Sequence, residues 1–561
     1  MAATALATGR AEGAAASAAL TQKRYAAAHL YLGLAMLAVG GIMGLMQALN
    51  RVEVDITSQL QLDSYYQGLT IHGVALVLVF TFAFANSLLI IATSKGFGRP
   101  LVGTPLVQTA FFSMLLGSLM AAWAMFANEA SVLFTFYAPL QAHVVFYLGI
   151  VLVVVSTWLI SASQVLTLRA WRVDHPTERI PLQAYTSIIT YLLWDIASLF
   201  VAVEVLVFLV PWSVGLIDEV DPQFTRTLFW ASGHAIVYVW LLPAYISWYT
   251  MVPKMAGGKL FSDALPRLVF ILFLLLSTPV GLHHQYTDPG IEPLLKSIHL
   301  VLTFGVTFPS IITFFTVMAS LENGGRKRGG RGLFGWIWAL PWGNPALVGQ
   351  LLAMLGFILG GISGSVNASA TMNLVVHNTS WIPGHFHLTV GTAVTLTIMA
   401  MMYWMIPYLT GRKLWNQKLA LLQVWTYFIG VLIFSRGQIQ GGLDGMPRRT
   451  SIGFASYETE QWDLANALTA IGGVVMVISG AIFFAVVIGT MLNRRMTEAE
   501  AEEVDVPVAE AIHGPEKTHP LWDRLGFWTG VAALGIVAAY LPVLVSYLPL
   551  NNVSGPFNAI F

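Results

Sequence analysis

The chain has 561 residues, of which 56% are hydrophobic and 10% charged, and its 28 basic residues are balanced by 28 acidic ones. With a mean hydropathy of +0.71, this composition excludes a soluble globular protein and a basic nucleic-acid binder; it reads as an all-α, polytopic membrane helical bundle. There are no cysteines, which excludes thiolate metal sites, disulfides and cysteine nucleophiles.

Residues 1–24 are Ala/Gly-rich and lack the apolar core of a signal peptide, so they are expected to form a disordered cytoplasmic tail. A transmembrane bundle is expected over 25–493, beginning with apolar runs at about 27–49, 69–93, 104–127, 140–168, 183–212 and 225–252. Further runs follow at about 266–286, 297–321, 345–370, 382–408, 418–435 and 464–492, and a thirteenth lies at about 525–548. Short Gly, Pro and polar connections separate most of them, as turns between bundled helices should. Residues 494–523 carry Glu498, Glu500, Glu502, Glu503 and Asp505 and read as an acidic, solvated cytoplasmic linker. Residues 524–561 then hold the last span and an outer C-terminus.

Lys and Arg set the sidedness. With the N-terminus in the cytoplasm, the outer side holds only Arg51, Arg226, Lys296, Arg436, Arg448 and Arg449, and the other 22 of the 28 basic residues fall inside. A miscounted span would scramble this alternation, so the asymmetry also supports thirteen spans.

Of the 13 histidines, His29, His175, His513 and His519 fall on the inner side. His72, His143, His234, His283, His284, His299, His377, His385 and His387 all fall in the outer half of a span or in an outer loop. Histidines placed only for packing would not sort by leaflet. His234 lies about 12 Å down the sixth span, and His283 and His284 lie about 24 Å up the seventh, at 1.5 Å per residue. His385 and His387, two apart at the start of the tenth, point roughly 200° away from each other on a helix. One helix can therefore separate two metal centres. Ionisable groups in a membrane segment are rare and usually functional, although such a pair could also serve only as hydrogen-bonding groups between helices.

Imidazole-only ligation suits copper, haem iron or zinc. His72 with one member of the 385/387 pair would make a six-coordinate, electron-transferring haem. The other member would hold a second haem with an open position, and His234, His283 and His284 would make a copper site suited to oxygen chemistry. His143, His299 and His377 are expected to support or pack against these groups.

Tyr238 follows His234 by four residues, one turn further in on the same face. Tyr245 and Tyr249 continue that face, and Ser310, Thr313 and Thr316 recur at spacing three on the eighth span. Together they could carry protons from the cytoplasm; as ordinary interhelical hydrogen-bonding groups they would need no function.

Five motifs carry a resemblance: Y-Y-Q-G-L-T-I-H-G at Tyr65–Gly73, W-A-S-G-H-A-I-V-Y at Trp230–Tyr238, S-T-P-V-G-L-H-H-Q at Ser277–Gln285, V-V-H-N-T-S-W-I-P-G-H-F-H at Val375–His387 and M-P-R-R at Met446–Arg449. Across nearly its whole length the chain resembles subunit I of the haem–copper oxygen reductases, most specifically the B-type (ba3-like) cytochrome c oxidases. The resemblance implies a terminal oxidase that reduces O2 to water and pumps protons across a prokaryotic cytoplasmic membrane. It implies that His72 and His387 ligate a low-spin haem b, that His385 ligates a high-spin haem of a3 type, and that His234, His283 and His284 ligate copper (CuB). Tyr238 resembles the tyrosine linked covalently to its neighbouring copper ligand, and Arg448 and Arg449 resemble the arginines that pair with haem propionates.

A-type relatives carry a Glu shortly after the first copper ligand, where this chain has Ala235-Ile236-Val237. One proton route resembling the K-type path remains, through Tyr249, Tyr245, Ser310, Thr313, Thr316 and Ser262. Its entrance carboxylate would belong to a second subunit, which would also bear the dicopper (CuA) site that a chain without Cys cannot form. A small single-helix subunit, a cytochrome c donor and the lipid membrane complete the implied partners. Asn373 stands where relatives have Asp near a propionate and His377, and Phe134 stands where they have Tyr; the first departure puts an Asp–His proton-loading site in doubt. Asp195 and Glu204 in the fifth span match no motif.

Two other readings compete. A nitric oxide reductase shares the six-histidine arrangement but needs a carboxylate near a non-haem iron, and no Glu follows His234. A proton- or metal-coupled transporter would show inverted repeats and interrupted helices, and the sequence shows neither.

Overall fold

A computed structural model of the chain describes residues 2–452 and 459–547. The spans are, in order, α1 (Ala2–Asn50), α2 (Tyr65–Phe97), α3 (Thr104–Phe126), α4 (Val144–Asp174), α5 (Leu182–Ser213) and α6 (Pro222–Ala256). A short strand, β1 (Leu260–Ser262), precedes α7 (Ala264–Leu276). Then come α8 (Pro293–Lys327), α9 (Pro345–Ala368), α10 (Trp381–Thr410), α11 (Gln417–Leu443) and α12 (Glu460–Leu492). A second strand, β2 (Ala511–His513), leads to α13 (Leu525–Tyr547).

Twelve of these helices are long and apolar enough to cross a membrane. The expected seventh span is different: α7 has only 13 residues and gives way to irregular backbone and a 3₁₀ turn, Gly281–Gln285. The cause lies in Ser277-Thr278-Pro279-Val280-Gly281. Pro279 has no N–H to continue the helical ladder and crowds the preceding turn.

Two further expectations are corrected. Helix α1 begins at Ala2 and runs through the described part of the segment read as a disordered tail, 1–24, because that segment is rich in Ala, the strongest helix former. Gln22 docks it, donating to the Leu101 carbonyl at 2.7 Å and accepting from the Leu101 N–H at 2.8 Å. The acidic segment 494–523 is largely exposed, as expected, but it is docked on the bundle and not a free linker. Its β2 pairs in parallel with β1, Lys95 meets Asp505 at 2.7 Å, Lys259 meets Glu510 at 2.7 Å, and Lys413 and Arg494 meet Glu500 at 2.8 and 2.6 Å. The basic residues that mark this side of the bundle are the partners of the acidic ones. At its end Asp523 bonds the buried Arg267 at 2.9 Å, fixing the start of α13. The expected outer C-terminus, 548–561, lies outside the described residues.

Small residues let the helices approach closely, as in membrane bundles generally. A Cβ on Gly117 of α3 would meet the Gly149 carbonyl of α4 at 2.5 Å, and one on Gly472 of α12 would meet the Phe434 nitrogen of α11 at 2.3 Å. Three spans contain π-helical stretches: Val74–Phe80 in α2, Glu204–Leu209 in α5 and His387–Leu396 in α10. Two of these begin at or just after a histidine singled out above.

Candidate functional site

A cavity of about 1350 Å³ runs through the bundle, and His72, His234, His283, His284, His385 and His387 all line it. Four elements bring them there: α2, the helix break within α6, the 3₁₀ turn after α7, and α10.

His72, His385 and His387 share one arrangement. His72 Nδ1 is 2.8 Å from the Gly40 carbonyl of α1, and His387 Nδ1 is 2.7 Å from the Pro383 carbonyl one turn back. His385 Nδ1 is 3.1 Å from the Gly360 carbonyl of α9 and 3.0 Å from the Ser363 hydroxyl. A carbonyl only accepts, so each Nδ1 carries the hydrogen and each Nε2 lone pair is left free. This is the tautomer that metal-ligating histidines adopt, oriented by the partner of the other nitrogen. Space is kept around the rings as well: a Cβ on Gly44 would lie 2.9 Å from His72 Cε1, and one on Gly364 would lie 3.0 Å from His385 Cε1. On α10 the two histidines part company as their spacing requires. His385 is anchored on α9, whereas the His387 ring lies 4.2 Å from that of Phe434 on α11.

His234, His283 and His284 form the metal-competent cluster, with ligand atoms all within 4.8 Å of one another. His234 occupies the junction between the helical segments Pro222–Gly233 and Ala235–Ala256. His234 Nδ1 and His284 Nε2 are 3.1 Å apart. His283 Nδ1 is bonded to the Thr303 hydroxyl at 3.0 Å, and Trp230 stacks on His284 with centroids 3.7 Å apart. The other side of His234 is taken by Tyr238, whose hydroxyl is 3.0 Å from Nε2.

Arg448 and Arg449 line the same cavity. Arg448 donates to the Asn378 side chain at 2.8 Å, and the Arg449 guanidinium lies 5.6 Å from the Phe134 ring. Among the described residues neither has a carboxylate partner. Enclosure in the protein, with Arg449 adjacent, pushes Arg448 down to about 9. Two uncompensated cations facing a cavity suit an anionic group bound there. In the loop beside them, His377 Nδ1 bonds the Asn373 side-chain oxygen at 2.9 Å, and Asn373 donates to the Asn367 carbonyl at 2.7 Å. Asn373 is thus an uncharged partner. Burial, and then Arg448, pushes His377 down to about 4.

The hydroxyl rows meet rung by rung. Tyr245 bonds Ser310 at 3.1 Å, and Tyr249 bonds Thr313 at 2.6 Å. Further in, Ser320 bonds the Thr316 carbonyl at 2.6 Å and accepts from the Phe261 N–H at 2.9 Å, which joins the row to β1. The continuity expected at the two ends is missing. No hydrogen bond among the described residues joins Tyr238 to Tyr245, and Phe273 packs against both rings at 5.1 and 5.6 Å. Ser262 accepts from the Leu265 N–H at 3.4 Å and makes no bond to Thr316.

Of the unassigned groups, Asp195 accepts from Ser161 at 2.5 Å. Both Glu204 oxygens are buried without a partner. His143 caps α4, accepting from Val145 N–H at 3.3 Å, and is peripheral. The sequence reading missed Trp230, Thr303, Gly40 and Gly360 as supports. Only Gly40 and Gly44, four apart on the face of α1 that meets His72, left a readable signal.

Comparison with known proteins agrees with this geometry. Residues 24–475 match the family model described as cytochrome c and quinol oxidase polypeptide I. The chain is 46% identical over 538 residues to cytochrome c oxidase subunit 1 of Thermus thermophilus, covering 94% of this chain and 95% of that one. It is 29% identical over 267 residues to cytochrome c oxidase polypeptide 1 of Halobacterium salinarum, covering 47% of this chain and 41% of that one. A cryo-EM structure of a heme-copper terminal oxidase dimer superposes with a TM-score of 0.88 at 38% identity, covering 94% of this chain and 93% of that one. The chain belongs to the cytochrome c and quinol oxidase polypeptide I family, the catalytic subunits of haem–copper terminal oxidases.

Proposed function

We propose that this terminal oxidase subunit takes electrons from cytochrome c, reduces dioxygen to water at the triad end of the cavity, and couples the reaction to outward proton translocation. His72 and His387 hold a low-spin haem b, His385 holds a high-spin haem of a3 type, and His234, His283 and His284 hold copper. The carrying observation is the convergence of three imidazoles within 4.8 Å on a cavity lined also by His385 and two cations without carboxylate partners. An all-nitrogen donor set suits copper. Bound there, the haems and copper would supply the electron transfer and the chemistry that cleaves dioxygen.

The chain's own residues do the rest. Gly40, Gly360 and Pro383 fix the haem-ligand tautomers through their carbonyls. Arg448 and Arg449 receive the propionates. Tyr238 holds a proton at its hydroxyl, beside the His234 ring, where oxygen is reduced. The Tyr249–Thr313 and Tyr245–Ser310 rungs move protons toward it from the cytoplasmic side, and Ser262 stands near their inner end. Water is needed to bridge Tyr245 to Tyr238 past Phe273, and Ser262 to Thr316. The electron-accepting dicopper centre belongs to a second subunit, accompanied by a small single-helix subunit. The complex sits in a prokaryotic cytoplasmic membrane with the N-terminus inside and the metal sites toward the outer leaflet. For nitric oxide reduction a carboxylate should join the triad; the cluster among the described residues holds imidazoles only.

A visible spectrum and metal analysis of the purified protein test the reading. The expected result is a Soret band from two haems and one copper per chain. Absence of haem, or non-haem iron in place of copper, would overturn it.

A further inference from the structure

The ligands His283 and His284 sit beyond the end of a helix, on a 3₁₀ turn whose backbone needs partners from elsewhere. The turn Gly281–Gln285 finds them on α13 and α8. The Gly281 N–H donates to the Tyr540 hydroxyl at 2.8 Å, and that hydroxyl lies 3.4 Å from the Trp230 carbonyl, which accepts its hydrogen. The next N–H, of Leu282, donates to His299 Nδ1 at 3.4 Å, and His299 Nε2 lies 3.3 Å from the Ala539 carbonyl. These two bonds agree on one tautomer: Nδ1 accepts, and Nε2–H donates. The Tyr540 and His299 rings meet edge to face with centroids 5.0 Å apart.

The same helix packs beside both halves of the triad. A buried cluster joins Ile536, Ala539, Tyr540 and Val543 of α13 to Leu282, beside His283, and to Ala231, three residues before His234. There is no slack at the junction. A Cβ on Gly281 would lie 2.1 Å from the Trp230 carbonyl oxygen and 2.2 Å from the Tyr540 hydroxyl. Thr303, which bonds His283, also donates to the His299 carbonyl at 2.6 Å, so His299 braces the turn through a second route. Helix α13 lies outside residues 24–475 that match the family model.

From this we infer that Tyr540 and His299 are positioning residues for the copper triad, and that the last transmembrane helix sets the geometry at which His283 and His284 meet His234. The inference rests on the copper reading above. Groups that orient ligands typically change metal affinity by about 10- to 100-fold when removed.

Three variants of the assembled oxidase test it. Tyr540→Phe removes one oxygen and keeps the ring packed. His299→Phe removes both bonds of the imidazole, and His299→Gln supplies an acceptor and a donor in its place. Copper is measured by metal analysis across a chelator titration. Carbon monoxide, photolysed from the high-spin haem onto copper, is read by its infrared stretch, and the low-spin haem spectrum reports an intact bundle. Half of the copper should be lost at about tenfold lower chelator in Tyr540→Phe and His299→Phe. The carbon monoxide band should shift in both, and His299→Gln should recover toward wild type. Should His299→Phe fail to assemble, Tyr540→Phe and His299→Gln suffice. Chelator curves and carbon monoxide bands that superpose on wild type would overturn the positioning role with the copper site intact. A wild-type enzyme without copper would instead overturn the copper reading, and this inference with it.

Discussion

The Tyr238 hydroxyl lies 3.0 Å from Nε2 of His234, so the imidazole presents its other nitrogen, Nδ1, to His284 at 3.1 Å. The phenol thus lies beside a proposed copper ligand, outside the three-histidine cluster itself. Tyr238→Phe should therefore keep near-normal haem spectra while oxygen consumption falls by about 10²- to 10⁴-fold, the usual weight of a positioned proton donor. Turnover at the wild-type rate, measured with an oxygen electrode, would reduce Tyr238 to a packing residue.

On α10, His385 bonds Gly360 of α9 and His387 packs on Phe434 of α11. The two rings therefore lie on different sides of α10, as the proposed partition between two haems requires. His387→Ala should remove the low-spin haem signal and leave copper in place. His385→Ala should abolish carbon monoxide binding to the reduced enzyme. Loss of the same haem in both variants, seen in reduced-minus-oxidised spectra, would contradict the partition.

Much of this site was legible because its constraints are local. The two-residue spacing of His385 and His387 and the four-residue spacing of His234 and Tyr238 determine helix faces without tertiary information. The leaflet sorting of the histidines then placed the ligands at one depth. What stayed hidden depends on pairing between distant segments. Nothing near His283 and His284 signals that Tyr540, some 250 residues on, holds their turn. Composition alone read 494–523 as a solvated linker, because charge complementarity with Lys95, Lys259 and Lys413 appears only once the spans are bundled. The gap at Phe273 was equally invisible: shared helix faces do not reveal which side chain lies between two tyrosines.

The docked acidic segment should respond to salt and acid. Hydrogen bonds and ion pairs from Arg494 and Lys413 hold Glu500 well below its ordinary value of 4.5, and Lys259 lowers Glu510. A carboxylate with a lowered folded-state value stabilises docking above its ordinary value and loses that contribution as the pH falls through the lowered one. These pairs are exposed, so salt should weaken them too. Amide exchange over Glu498–Glu510 should be slow at neutral pH and low salt, and should accelerate in high salt or as the pH falls below about 4.5, the ordinary value. Once intrinsic exchange is corrected for, equal protection under all three conditions would show that β1–β2 pairing alone holds the segment.

Tyr249–Thr313 and Tyr245–Ser310 form two hydroxyl rungs between α6 and α8. Thr313 donates to the Pro309 carbonyl at 2.7 Å, so at the 2.6 Å contact it accepts from Tyr249. Thr313→Val conserves shape but removes both roles, and it touches no histidine ligand. If protons for oxygen reduction pass along this row, the variant should slow turnover at least tenfold, or about 1.4 kcal/mol of barrier, with both haem spectra unchanged. Tyr249→Phe removes the donor of the same rung and should act similarly. Proton uptake in reconstituted vesicles should slow in step with electron transfer to the triad, because the two are coupled at the same site. The Tyr238–Tyr245 gap sharpens the test. Water must complete the relay there, so Thr313→Val should reduce the rate without abolishing it, provided that bridging water can also reach Ser310. Uptake at the wild-type rate in both variants would mean that protons arrive by another route, and that the rungs serve only to hold α6 against α8.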